Sequence, residues 1–158
     1  MTTPPINEAV SRRIAATPEA VYDLVADVTR MGEWSPETTS ADWLDGVDAA
    51  APGARFTGKN QLGFLSWSTK PTVLTAERGR EFSFEVPGKG GPVWTYRFTP
   101  SGDDTIVTES VVQSERSPLP LRFLQRLGGA SDRAASLRTG MTETLERLAA
   151  TAETRVSA

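Results

Sequence analysis

From about residue 38 to residue 114 the apolar side chains recur with a period of two, and turn signals interrupt them at short intervals. These are Asp45-Gly46 through Pro52-Gly53, Gly63, Glu77 to Arg80, Pro87 to Pro92, and Pro100 to Asp104. Patterning of this kind leaves a chain little choice but a run of short antiparallel strands joined by hairpins. Six strands are expected, near 39–45, 54–62, 66–76, 81–87, 93–99 and 105–114, curled into one meander. Phe82, Phe84 and Val86 share one parity and Glu81, Ser83 and Glu85 the other; Trp94, Tyr96 and Phe98 likewise oppose Thr95, Arg97 and Thr99. The aromatic side must face inward.

Helical patterning flanks this run. Residues 8–16 read as a first strand, stopped by Thr17-Pro18-Glu19, where Thr is a good N-cap, Pro suits the first helical position and an acid follows in the first turn. Val21, Leu24, Val25 and Val28 then recur at helical spacing, and Gly32 and Ser35-Pro36 close a second short helical segment holding Met31 and Trp34. Residues 119–127 form an amphipathic piece that reads as the lead-in to a helix, with a lid or a membrane-surface contact as the alternative. A last helix is expected from about Ser131 or Asp132, with Ala134, Leu137, Met141, Leu145, Leu148 and Ala152 as one apolar stripe lying across the concave face of the sheet.

At 158 residues the chain suits one domain, core about 8–150 with flexible termini. It has no Cys and no His, which excludes a disulfide, a thiol nucleophile, a thiolate or imidazole metal site and a histidine general base. Neither a metal nor another cofactor is expected, and proton transfer must fall to Asp, Glu, Tyr, Lys or Arg. A net charge of -3 removes the general electrostatic case for a nucleic-acid partner. Residues 116–158 carry seven Arg against four acids, an arginine-laced helical face or a contact for an anionic headgroup. With no leader-like start and no long apolar run, the expectation is a cytoplasmic protein without an integral membrane segment, monomeric or homodimeric.

The order strand, two helices, six strands and long terminal helix resembles the helix-grip fold of the START-like (SRPBCC) superfamily. Ala15-Ala16-Thr17-Pro18-Glu19-Ala20-Val21-Tyr22-Asp23-Leu24-Val25-Ala26-Asp27, followed by Glu33-Trp34-Ser35-Pro36, is similar to the opening of its polyketide cyclase/dehydratase-like branch. Pro52-Gly53-Ala54-Arg55-Phe56, Trp67 and the run Gly102-x-x-Thr105-x-Val107-Thr108-Glu109 are similar to its later signposts. The resemblance implies an α+β fold, a curved antiparallel sheet of about seven strands wrapped around the terminal helix, with an internal cavity for a hydrophobic or aromatic small molecule. A packed core without a cavity is the alternative reading of the same aromatics.

If the cavity exists, its expected lining is Trp34, Phe56, Asn60, Trp67, Phe84, Trp94, Tyr96, Glu109, Met141 and Leu145. Inward polar groups carry the most information, because burying one costs free energy unless it is paired or used. Asn60, Glu109 and Arg12 share parity with apolar neighbours, although Ile106 and Val112 permit the opposite face for the last strand. In a helix-grip sheet the first strand lies beside the last, so an Arg12–Glu109 ion pair at the cavity floor is expected. Trp34 and Trp43 either stack on a flat ligand near the opening or plug the end of the core. Three functions remain open: a carrier or sensor of a lipid or polyketide-like molecule; a metal-free polyketide aromatase, cyclase or dehydratase using Glu109, Tyr96 or Arg12; and a co-chaperone-like interaction domain.

Overall fold

The computed structural model describes residues 6–88, 91–113 and 133–157. In chain order the elements are β1 (Ile6–Ile14), α1 (Pro18–Ala26), a 3-10 turn (Val28–Glu33), β2 (Thr38–Trp43), β3 (Phe56–Leu62), β4 (Leu65–Thr69), β5 (Thr72–Glu77), β6 (Glu81–Glu85), β7 (Val93–Ser101), β8 (Asp104–Gln113) and α2 (Arg133–Ser157). All strand pairs are antiparallel, in a five-stranded sheet of order β1-β8-β7-β6-β5 and a three-stranded sheet of order β2-β3-β4. The α+β helix-grip expectation holds, with the first strand beside the last. The reading of residues 119–127 lies outside the described residues.

The single strand expected at 66–76 is two strands, because Pro71 interrupts the ladder. Proline has no N–H to donate, so strand pairing changes partner there. β4 pairs with β3 and β5 pairs with β6. The two sheets stay joined by a short seam: the Pro71 carbonyl accepts from the Phe56 N–H at 3.1 Å, and Val73 N–H donates to the Ala54 carbonyl at 2.8 Å. The result is one bent surface with eight strands rather than seven.

Helix α1 begins as its sequence requires, with the Thr17 hydroxyl accepting from the Ala20 N–H at 3.2 Å and Pro18 in the first turn. Its apolar face buries Val21, Leu24 and Val25, and Tyr22 meets Phe82 and Phe98 edge-on. That contact seals one end of the concave face. Helix α2 lies along β1 and contributes Leu145, Leu148, Ala149 and Ala152 to the same core, while Leu137 and Met141 pack further along against Ile6 and Val111. The arginines expected on a helical face are paired where described: Arg133 with Glu37, Arg138 with Glu8, and Arg147 with Glu143.

The 3-10 turn is pressed onto β2 at Gly32, where a β-carbon would come within 2.5 Å of the Thr39 carbonyl oxygen. A methyl group there has no room, and the obstacle is backbone. Gly32→Ala should therefore destabilise the protein by about 1–3 kcal/mol in chemical denaturation. An unchanged midpoint would show that the turn is free to lift away from β2.

Candidate functional site

Each central strand carries a core residue at its α1 end and a different kind of residue beyond it. On β6, Phe82 lies beneath α1 and Phe84 beyond it; on β7 the sequence runs back from Phe98 through Tyr96 to Trp94; on β8 it runs from Val107 through Glu109 to Val111 and Gln113. Helix α1 is too short to cover the far end. There the sheet and the N-terminal half of α2 enclose a cavity of about 420 Å³, with the segment Met31–Thr38 at its side.

At the boundary between packed core and cavity stands a buried carboxyl. Tyr96 and Glu109 are direct cross-strand partners, and the Tyr96 hydroxyl donates to Glu109 Oε1 at 2.8 Å. Register makes this pair. The tight β7–β8 turn sets Ser101 opposite Asp104, with Gly102 in the left-handed region at φ +62°, and every pairing below it follows. Glu109 is 3% exposed, and its second oxygen, Oε2, is buried with no hydrogen-bond partner among the described residues. Burial pushes the Glu109 carboxyl up to about 8, with the Tyr96 hydrogen bond only partly opposing the rise. Tyr96 itself is held well above its ordinary value, first by burial and then by Glu109. Near neutral pH the site thus presents an uncharged carboxylic acid to an apolar space.

Phe56, Phe84, Trp94 and Met141 line the cavity, as do Asn60, Trp67, Tyr96 and Glu109. Three expectations need correction. Arg12 is exposed, and the register sets Val10 opposite Glu109, with Arg12 opposite Val107, so no Arg12–Glu109 ion pair forms. As a long cationic side chain on the edge strand, Arg12 reaches water without difficulty. Trp34 is 2% exposed but belongs to the core, with Arg30 over its ring and its carbonyl accepting from Arg147; its neighbours Ser35 and Pro36 reach the cavity instead. Leu145 likewise sits in the main core, roughly one helical turn past Met141.

Several polar lining groups went unnoticed in the sequence, among them Gln113, Thr38, Glu37 and Arg133. Gln113 is buried and lines the cavity at the parity of Glu109 and Val111, so the same alternation would have found it. Thr38 donates to the Asn60 side-chain oxygen at 3.0 Å. Glu37 receives two hydrogen bonds from the Arg133 guanidinium, at 2.7 and 2.9 Å, tying the start of α2 to the segment before β2. That pair joins positions 96 residues apart, and no local pattern announces it.

The Glu109 shift has a consequence for stability. With its carboxyl raised in the folded state, the native protein binds a proton that the unfolded chain has already lost, so stability falls as pH rises. The loss runs from the ordinary carboxylate range to about 8, at about 1.4 kcal/mol per pH unit, and then levels off. Glu109→Gln cannot ionise. The stability difference between Glu109→Gln and wild type should therefore grow in favour of the variant from pH 5 to pH 8; parallel stability curves would refute the burial of this carboxyl.

The sequence matches the family model described as "Polyketide cyclase / dehydrase and lipid transport" over residues 6–153. No curated protein matches the chain. Among solved structures, a polyketide cyclase-like protein from Corynebacterium glutamicum is 32% identical, covering 96% of this chain and 94% of that one, with a TM-score of 0.62. The di-domain ARO/CYC StfQ of the steffimycin biosynthetic pathway (15% identity, TM-score 0.74) aligns over 98% of this chain and 52% of its own. Major latex-like protein 151 from Panax ginseng (11% identity, TM-score 0.69) aligns over 95% of this chain and 99% of its own. These last two share the fold. A sheet-and-helix cavity, a match along nearly the whole chain and a relative identical at almost a third of positions agree: the chain belongs to the polyketide cyclase/dehydrase and lipid-transport family of helix-grip, START-like proteins, as a ligand-binding domain.

Proposed function

We propose that the protein carries or senses a small hydrophobic or aromatic molecule, polyketide-like in bearing a carbonyl oxygen, which accepts a hydrogen bond from the Glu109 carboxyl. One observation carries this reading: Glu109 Oε2, buried, without a partner among the described residues, and belonging to a residue that lines an apolar cavity. Buried polar atoms in folded proteins are nearly always satisfied. A ligand oxygen would satisfy this one, while Phe84, Trp94 and Met141 supply apolar contact for the remainder of the molecule. With Tyr96 donating to Oε1, the acid proton on Oε2 is the one available to a ligand.

A second reading, a cyclase or dehydratase, is favoured by the Glu109 carboxyl standing at about 8, close to the value at which an acid both gives and takes protons at neutral pH. The two readings separate cleanly. In a carrier the carboxyl only holds the ligand; in an enzyme it exchanges a proton with it.

Trp67 and Trp94 line the cavity, so tryptophan fluorescence should report occupancy. Titration with a fatty acid, a sterol, a flavonoid-like aromatic and a linear polyketide mimic should give a saturable change for a carbonyl-bearing member, diminished in Trp67→Phe. Its affinity should fall as pH rises through about 8, because an ionised carboxylate repels a carbonyl oxygen, and Glu109→Gln should bind without that pH dependence. Response to none of the four would overturn the proposal. Should the bound compound be converted, Glu109→Gln would retain binding and lose turnover under the enzymatic reading.

A further inference from the structure

The β3–β4 hairpin ends in Leu62-Gly63-Phe64-Leu65, closed by the pairing of Leu62 with Leu65, with Gly63 at φ +60°. Glycine at the first central position is what a type II′ turn demands. The second central position projects from the tip, and the chain places Phe64 there, 74% exposed, the most exposed large apolar side chain among the described residues. A single exposed ring would need no explanation. This one is not isolated. Behind it come the half-buried pair Leu62 and Leu65, and then Trp67, opposite Asn60, both of which line the cavity. An apolar path therefore leads from the hairpin tip to the ligand space.

Charge marks the same region. Between Asp48 and Glu77 the chain has no acidic residue, although the protein as a whole is at -3. Arg55, Lys59 and Lys70 lie in that interval; Arg55 faces Asp45 at 3.7 Å, whereas Lys59 and Lys70 are exposed with no ion pair among the described residues. Lys59 stands across from Ser68, out of phase with Gly58 and Asn60, which line the cavity. Lys59 and Lys70 stand five and six residues behind Phe64, about 16–20 Å back along the strands, so an apolar tip leads and a basic hairpin base follows, which fits a negatively charged lipid surface. A convex tip offers a protein partner little area to bury, whereas a bilayer accepts it point first.

We propose that the β3–β4 hairpin docks on an anionic lipid bilayer. Phe64 inserts at the interface, Lys59 and Lys70 draw the hairpin toward the anionic headgroups from further back along the strands, and a hydrophobic ligand passes between membrane and cavity along Leu62, Leu65 and Trp67. One ring and two lysines give a reversible contact, as loading and unloading require. Docking at the tip does not rest on the chemistry at Glu109.

The test is flotation of the full chain with vesicles of phosphatidylcholine, with and without phosphatidylglycerol. Wild type should float with the phosphatidylglycerol vesicles, less with phosphatidylcholine alone, and less as salt is raised. Phe64→Ser should weaken binding about tenfold or more on the anionic vesicles, and the double variant Lys59→Gln/Lys70→Gln should reduce binding there to the phosphatidylcholine level. All three side chains are exposed, so thermal melts should match wild type, and either variant suffices if the other fails to fold. Absence of wild-type binding to both vesicles, or Phe64→Ser binding equal to wild type, would overturn the proposal. So would a dimer in sedimentation velocity that Phe64→Ser dissolves, which would assign the tip to a second copy of the chain.

Discussion

Helix α2 meets the sheet with two unlike halves, and the cavity exists because of that difference. At 25 residues it is about 37 Å long, against about 13 Å for the nine residues of α1. Where both helices cover the sheet, Val21, Leu24, Leu148 and Phe82 close into a core without room for a ligand. Beyond the reach of α1, α2 is the one helix above the strands among the described residues, and Gly140 and Thr144, between and beside its larger Leu137 and Met141, leave the space unfilled. Helix length, more than any single aromatic residue, decides which residues become core and which become cavity wall.

The position of Glu109 at this boundary governs its chemistry. One pair further toward α1, at Val107 and Phe98, a carboxyl would be locked in packed core; toward Gln113 it would approach the cavity end of the strand. At its actual place it is deep enough to lose hydration yet borders a space that admits a ligand. Tyr96 offsets part of the cost of burial by donating one hydrogen bond, leaving the other oxygen without a partner among the described residues. Since this pair depends on the register set at Gly102, a turn near the opposite end of β7 and β8 fixes the protonation chemistry of the cavity.

Most of the fold was legible because its signals are local. Alternation on β6 and β7 named the inward aromatics, Thr17-Pro18-Glu19 started α1 where it starts, and the stripe on α2 was read correctly from Leu137 to Ala152. What alternation cannot supply is position along an element. Trp34 and Leu145 are on inward faces but fall on the core side of the boundary, which depends on how far α1 reaches. Arg12 keeps the parity of Val10 and Ile14, yet parity says nothing about which residue stands opposite Glu109 or that β1 is an edge strand. The change of sheet at Pro71 was visible as a proline, but its consequence requires knowing that β3 and β6 both seek a partner there.

The same geometry limits what an enzymatic reading could mean. Tyr96 is held well above its ordinary value and spends its proton on Glu109, so it is not a base. Glu37, the other acid on the cavity wall among the described residues, is engaged by two nitrogens of Arg133. Among the described residues, Glu109 would therefore have to remove and return protons alone. A single carboxyl can take a proton from a carbon beside a carbonyl and give it back to an oxygen on the same face of the substrate, as enolisation or a syn loss of water requires. It cannot serve opposite faces at once. Chemistry by the described residues would thus be confined to one face of the bound molecule, the face turned toward β8.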